Sequence, residues 1–381
     1  MIKVAIIGAG AISSAHVEAY KEFSDRCEIV AVVDTQIKKA ESLIKKYQLN
    51  AVALSDYREL LGNTDITLIS VCTPPSLHAE IAISCLSARK HTIVEKPMAA
   101  SLEECDKMIS ASEANNMILS IVAQNRFKTS MMKLKSMLDK GVAGNILHTQ
   151  VDSFWWRGHS YYDLWWRGKW ESEGGGCTLN HAVHHLDLLQ WMQGMPTEVC
   201  AVMSNLAHDN AEVEDISIAL LRYSNGSLAQ VTSSVVHHGE EQQIIFQGED
   251  ARISFPWKIS ASISKPNGFP ERDKIKEEEL NRLYSELPDI PYEGHFGQID
   301  NVLSAIENKT SLIVDGNAGR RTLELIVAIY KSASLKSSVS LPISRDDKFY
   351  TGQGLLHEVP RFFNKTSHIS DFIENENTIT L

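Results

Sequence analysis

Short apolar runs and helix-period stretches alternate through the first third of the chain. "KVAIIGAG" is a strand that breaks into glycines, and "AISSAHVEAY" continues it as a helix. "EIVAVVD" is a second strand. "DITLISVCTPPSLHAEIAISCL" reads as a strand, a Pro-Pro break and a helix; "KHTIVEKPMAAS" is a strand ending at Glu95-Lys96-Pro97, with a helix from about Ser101. Strands of this kind joined by helices predict a parallel, doubly wound α/β sheet.

From about residue 145 the rhythm changes. "ILHTQVDSFWW", "TEVCAVMSNL", "DISIALLRY", "SLAQVTSSVV", "QQIIFQ" and "ARISF" are strand-like, with hairpin turns at Asn225-Gly226 and Gly248-Glu249-Asp250. They predict an α+β domain with an open, mostly antiparallel sheet. The helical stretches "FGQIDNVLSAIENK" and "AGRRTLELIVAIYKSASLK" are expected to cover one of its faces. The organisation expected is a dinucleotide-binding domain over 1–122, a substrate and oligomerisation domain over 123–343 and a polar C-terminal extension over 344–381.

Length and charge narrow the function. At 381 residues the chain suits two domains. A formal charge of -11, without a Lys/Arg cluster, excludes nucleic acid as the main partner. No run approaches the ~18 apolar residues of a membrane span, and the start lacks a signal-peptide cleavage site. The six cysteines form no C-x-x-C pair and read as buried, reduced thiols. The expectation is a cytoplasmic protein with no membrane partner.

The first motif is Gly8-Ala9-Gly10-Ala11-Ile12-Ser13, between strand and helix. Gly8 permits the tight turn, Gly10 lets a pyrophosphate approach, and the helix start at Ala11 and Ile12 faces it. Ser13 replaces the usual small Gly or Ala. Asp34, ending the second strand, is placed to hold a ribose 2′-hydroxyl and to repel a 2′-phosphate. NAD is therefore favoured, with Lys38 and Lys39 leaving NADP as the lesser option. Ligands of such sheets sit beyond the carboxyl ends of strands. Thr73, Pro74, His78, Glu95 and Lys96 are accordingly candidate cofactor residues.

The second motif is "GGGCTLNHAVHHLDLLQW", residues 174–191. In a regular helix from residue 180, Asn180, His184 and Asp187 share a face at i, i+4 and i+7, while His181 and His185 lie roughly 100° away. That second pair has metal-ligand spacing, but without H-E-x-x-H or a third ligand no metal is expected. Proton transfer by His184, oriented by Asp187 or a neighbour, is the favoured reading. Between the domains, residues 154–170 hold five of the seven tryptophans. Aromatic faces interspersed with Arg157 and Arg167 suit a pyranose or cyclitol, and equally suit packing at a domain contact. Trp166 joins these as a substrate candidate, as does Asn125.

The glycine turn, "EKPMAAS" and "GGGCTLNHAVHHLDLLQW", in this order and spacing, resemble the Gfo/Idh/MocA oxidoreductases over residues 1 to about 343. The resemblance implies a Rossmann domain plus an open-faced antiparallel sheet domain, assembled as a homodimer or homotetramer, and oxidation or reduction of sugars and cyclitols with NAD or NADP. It aligns the family's lysine with Lys96 and its D-x-G-x-H-x-x-D pattern with Asn180, Ala182, His184 and Asp187. Catalytic Lys96 and His184 follow, with Asn180, His181 and Asp187 at the substrate. Asn180 replaces the family Asp, so it can orient a hydroxyl but not take its proton. The implied activity is hydride transfer between a secondary hydroxyl and NAD. The alternatives are an NAD-dependent glycoside hydrolase using transient oxidation, and a non-catalytic NAD-bound sugar sensor.

Overall fold

The computed structural model describes residues 1–366, 368 and 369; the rest of the extension, 367 and 370–381, lies outside the described residues. The first part is β1 (Ile2–Ile7), α1 (Ser13–Glu22), β2 (Cys27–Val33), α2 (Ile37–Tyr47), β3 (Val52–Leu54), α3 (Arg58–Leu61), β4 (Ile66–Val71), α4 (His78–Ser87), β5 (His91–Val94), α5 (Leu102–Asn115) and β6 (Leu119–Ile121). Its six strands form a parallel sheet in the order β3-β2-β1-β4-β5-β6. Strand order reverses between β1 and β4, which opens a ligand crevice at their carboxyl ends. Val4, Ala5, Ile6 and Ile7 are all buried, as are Leu68, Ile69 and Val71. Burial on both faces is why these strands read as unbroken apolar runs. α5 starts where expected: the Ser101 hydroxyl accepts the Glu104 N–H at 3.3 Å, and the Glu104 carboxylate accepts the Ala100 N–H at 2.9 Å.

The second part continues through α6 (Thr129–Asp139), β7 (Ile146–Phe154), α7 (Trp170–Glu173), α8 (Cys177–Asn180), α9 (Val183–Gln193), β8 (Glu198–Ser204), β9 (Ile216–Arg222), β10 (Leu228–Ser234), β11 (Gln242–Gly248), β12 (Arg252–Phe255) and β13 (Lys258–Ser260). A small ribbon of β14 (Ser262–Ser264) and β15 (Pro270–Arg272) follows. The chain then runs through α10 (Lys274–Glu286), α11 (Gly294–Ile306), α12 (Gly316–Leu335), β16 (Val339–Ser340) and α13 (Gly352–Glu358). The large sheet has the order β13-β12-β11-β7-β10-β9-β8-β16, antiparallel at every pair except β7 with β10. Along β9, Ser217, Ala219 and Leu221 point into the core, while Ile218 and Leu220 point out at 45% and 59% exposure. One face of the sheet is therefore covered and the other left open. α12 lies on β8 and α9, and the Ser332 hydroxyl accepts the Ala201 N–H at 2.8 Å.

Two expectations change. α11 does not cover the sheet beside α12. Its Ile299, Val302 and Leu303 join Val4, Ile6 and Val17 in the core of the first domain. Arg26 bonds to Asp300 on the same helix and to Glu307 just past its end. The chain thus returns to the first domain after building the second. Among the cysteines, five are buried as expected, but Cys200 is exposed on the open sheet face.

Candidate active site

Gly8 has φ +99°, and a Cβ there would collide with the Cys72 carbonyl, so the turn needs glycine. A Cβ on Gly10 would meet nothing within 4 Å, which leaves room for a ligand. α1 begins with no side-chain cap and no acidic residue in its first turn. Its uncapped amides and positive dipole end, around Ala11 and Ile12, suit a pyrophosphate. Asp34 is held beside this loop, accepting the Ala9 N–H at 2.9 Å and the Gln36 N–H at 2.8 Å. These residues fit a dinucleotide.

At the next strand ends, His78 departs from expectation. It is buried, with its ring nitrogens 2.8 Å from the Pro97 and Thr73 carbonyl oxygens, so neither edge is left for a cofactor. It ties the segment after β4 to the one after β5. Thr73 and Pro74 are half-buried there, and the Thr73 hydroxyl oxygen is buried with no hydrogen-bond partner. Glu95 is likewise turned inward. It lies 2.8 Å from His16 Nε2 and 3.6 Å from His295 Nε2, and accepts the Lys96 N–H at 3.2 Å. His16 Nδ1 in turn lies 3.3 Å from Ser70 Oγ, which is 2.7 Å from the Tyr20 hydroxyl. Burial raises the Glu95 carboxyl, but the hydrogen bond to His16 and the charges of His16 and His295 outweigh it and hold it well below the usual range. His16, Glu95 and His295 gather their polar atoms within 4.8 Å. The 2.8 Å His16–Glu95 contact is that of a hydrogen bond, since two tetrahedral zinc ligands at ~2.0 Å each stand about 3.3 Å apart.

The triple glycine has a packing reason. A Cβ on Gly175 would strike the Tyr330 hydroxyl, and one on Gly176 the Glu214 carbonyl. Buried Glu214 accepts from the Gly176 N–H, the Thr178 N–H and the Tyr330 hydroxyl, each at 3.0 Å. The following helix is not continuous: α8 ends at Asn180 and α9 begins at Val183. Asn180 therefore does not share a helix face with His184. Its side-chain amide folds back to the Gly175 carbonyl at 2.8 Å, while its main-chain carbonyl accepts from Lys96 Nζ at 3.1 Å. Any residue offers that carbonyl, so Asn in place of Asp leaves this contact intact.

Asp187 is also engaged elsewhere. Arg126 Nε and Nη2 donate to its two oxygens at 2.7 and 2.8 Å, and the Thr322 hydroxyl donates at 2.9 Å. Rather than orienting His184 by a hydrogen bond, Asp187 anchors α9. Nothing in the sequence singles out Arg126. Lys96, His184 and Asp187, with Met98, Val183 and Thr322, line one cavity of about 20 Å³, room for roughly one water. Burial lowers the Lys96 ammonium below its ordinary value, with Glu95 opposing. Burial, and next the Lys96 charge, hold the His184 imidazole well below its ordinary value. His185 is buried, its Nδ1 has no hydrogen-bond partner, and burial pushes it down to about 4.

The aromatic loop packs against His181. The Arg167 guanidinium lies between Tyr161 and Trp166, 4.2 Å from each ring centroid, and Arg157 lies 5.7 Å from Tyr161. His181 is 3.5 Å from the Tyr161 hydroxyl and packs against Trp155. Burial, then the charges of Arg157, Arg167 and Lys96, hold His181 well below its ordinary value. Carboxylates fix both arginines: Glu240 accepts from Arg157 at 2.6 Å and Glu173 from Arg167 at 3.0 Å. Asn125 stands half-buried on the turn Gln124–Phe127, beside Arg126 in sequence. Sequence reading missed Tyr161 and Glu173; an aromatic and an acid inside an Arg-rich loop were the available signals.

Residues 2–122 match an oxidoreductase family described as having an NAD-binding Rossmann fold, and residues 131–254 match the GFO/IDH/MocA C-terminal domain. The D-glucoside 3-dehydrogenase of Escherichia coli (strain K12) is 25% identical over 363 residues, 89% of this chain and 97% of that protein. The myo-inositol 2-dehydrogenase of Thermotoga maritima is 25% identical over 257 residues, 66% and 74% of the two chains. Among solved structures, the WlbA dehydrogenase of Bordetella pertussis in complex with NADH and UDP-GlcNAcA is 29% identical, with a TM-score of 0.77 over 90% of this chain and 98% of that one.

Proposed function

Because the chain belongs to the Gfo/Idh/MocA family of NAD-binding oxidoreductases, we propose that it oxidises or reduces one secondary hydroxyl of a sugar or cyclitol, with Lys96 and His184 acting on that hydroxyl. One observation carries this reading. Lys96, from the end of β5, and His184, from α9, line one cavity at the junction of the two domains. The relatives named for glucoside and inositol oxidation, and the structure holding a nucleotide sugar acid, support the substrate class.

NAD, when bound at the glycine turn and Asp34, supplies the acceptor or donor of hydride. The protein's part is proton handling and charge. His184, kept neutral by burial and by Lys96, takes the hydroxyl proton as the carbinol carbon loses hydride. Lys96 spends one N–H on the Asn180 carbonyl and turns its remaining donors to the developing alkoxide. Arg157, Tyr161, Trp166, Arg167 and His181 hold the rest of the ring, with aromatic faces for C–H and donors for hydroxyls. Asp34 favours NAD over NADP, since its fixed carboxylate would meet a 2′-phosphate.

The open sheet face carries Val202, Ile218 and Leu220, each at least 45% exposed. An apolar row on a paired sheet is a surface for a second copy, and we assign a homodimer or homotetramer to it. The test of function is a screen of free sugars, inositols and nucleotide sugars with NAD and with NADP, following absorbance of the reduced cofactor. Turnover with a sugar or cyclitol is expected. Tight NADH binding without turnover on any such compound would overturn the reading.

A further inference from the structure

After α13, the described residues 360–366, 368 and 369 are tied to the second domain by hydrogen bonds. The Pro360 carbonyl accepts the indole N–H of Trp170 at 2.9 Å, and the Phe362 N–H donates to the Glu212 carbonyl at 3.0 Å. Ile369 then pairs with Leu164 as a parallel bridge: its N–H donates to the Asp163 carbonyl at 3.0 Å, and its carbonyl accepts the Trp165 N–H at 2.9 Å. The segment thus pairs through a single β-bridge with the loop that carries Tyr161, Trp166 and Arg167.

Between these attachments sits Lys365. Its Nζ is buried with no hydrogen-bond partner. Burial lowers its ammonium below the ordinary value; the charges of Asp163 and Glu173 oppose this and Lys169 adds to it. A buried ammonium without a hydrogen bond is costly, so its place depends on those two carboxylates. Glu173 is the residue that holds Arg167, through Nη1, and also accepts the Gly168 N–H. Upstream, the extension is moored to the first domain: the Tyr350 hydroxyl bonds Asp106 on α5, and Arg320 bonds both.

We infer that residues 360–366, 368 and 369 are a working part of the substrate site, a strap that fixes the aromatic loop, with Lys365 acting through Glu173 as the positioning residue for Arg167. The inference rests on the reading above that this loop faces the substrate. A strap of this kind acts on substrate binding and leaves the dinucleotide site, on the other side of the junction, untouched. Loss of binding common to ground state and transition state raises KM and spares kcat.

The experiment compares Lys365→Met, Lys365→Arg, Ile369→Pro and Arg167→Ala in the full-length protein with the substrate found by the screen. Lys365→Met and Ile369→Pro are expected to raise KM roughly fivefold or more, with kcat within about twofold. NADH affinity by fluorescence titration and the thermal midpoint should stay at wild-type values. Lys365→Arg, which keeps the charge, is expected to restore most of KM. Ile369→Pro removes the N–H that meets the Asp163 carbonyl and tests the strap independently of charge. Unchanged KM in Lys365→Met and Ile369→Pro, beside a raised KM in Arg167→Ala, would overturn the strap alone. Unchanged KM in Arg167→Ala would overturn the substrate-facing loop, and the strap with it.

Discussion

His184 is surrounded so that it stays uncharged. Burial, the Lys96 ammonium and the neighbouring His185 all oppose its protonation, with only Glu95 favouring it. A base of this kind remains competent below the ordinary imidazole value of about 6.5. Lys96, lowered by burial, loses its proton below the ordinary value of about 10.5. In the oxidation direction kcat/KM should therefore hold level as pH falls through 6.5 and decline on the alkaline side before 10.5. A pH–rate series with an acid limb centred at or above 6.5 would contradict the assignment of His184 as the base. Lys96 and His184 stand out in the sequence because each sits in a short motif, and the structure puts both at one cavity. The anchoring by Asp187 was not legible there, because its partner Arg126 lies 61 residues away and only folding brings them together. His78 was misread for a similar reason: its two carbonyl partners are set by the approach of two strand-end segments, which no local pattern records.

At the scale of elements, strand patterns translated well, and of the two helices expected on the open sheet α12 lies there and α11 does not. Continuous apolar runs gave the parallel sheet, and Asn225-Gly226 sits at the β9–β10 hairpin, with Gly226 at φ +88°. An apolar helix stripe says that a helix is buried but not against what. α11 accordingly went to the first domain, where Ile299, Val302 and Leu303 fill the space beside Val4, Ile6 and Val17. The glycine-rich lead into α9 looked continuous with the helix, yet the chain breaks at His181–Ala182 to bring the Asn180 carbonyl to Lys96. α9 is then fixed by the buried Arg126–Asp187 pair. Removing one member of such a pair typically costs about 3–5 kcal/mol, whereas replacing both by apolar groups is near neutral. Urea titration should show a loss of about this size for Arg126→Met and recovery of most of it in Arg126→Met/Asp187→Leu. Equal losses in single and double variants would mean that the pair does not hold the helix.

The whole molecule joins two sheets, with the second part of the chain contributing α11 back to the first domain. Its open sheet face is the surface assigned to self-association. Leu220→Lys should shift the protein toward monomer in sedimentation velocity, since a charge placed in an apolar contact opposes it. An unchanged sedimentation coefficient would place the contact elsewhere. The central claim, that Lys96 and His184 work together across the junction, is tested most directly by the turnover rates of Lys96→Ala, His184→Ala and His185→Ala on the screened substrate. His184→Ala and Lys96→Ala should each lower kcat by roughly 10²-fold or more, while NADH titrates as in the wild type, and His185→Ala should change kcat by less than about tenfold. Turnover abolished by His185→Ala but nearly untouched by His184→Ala would contradict the account.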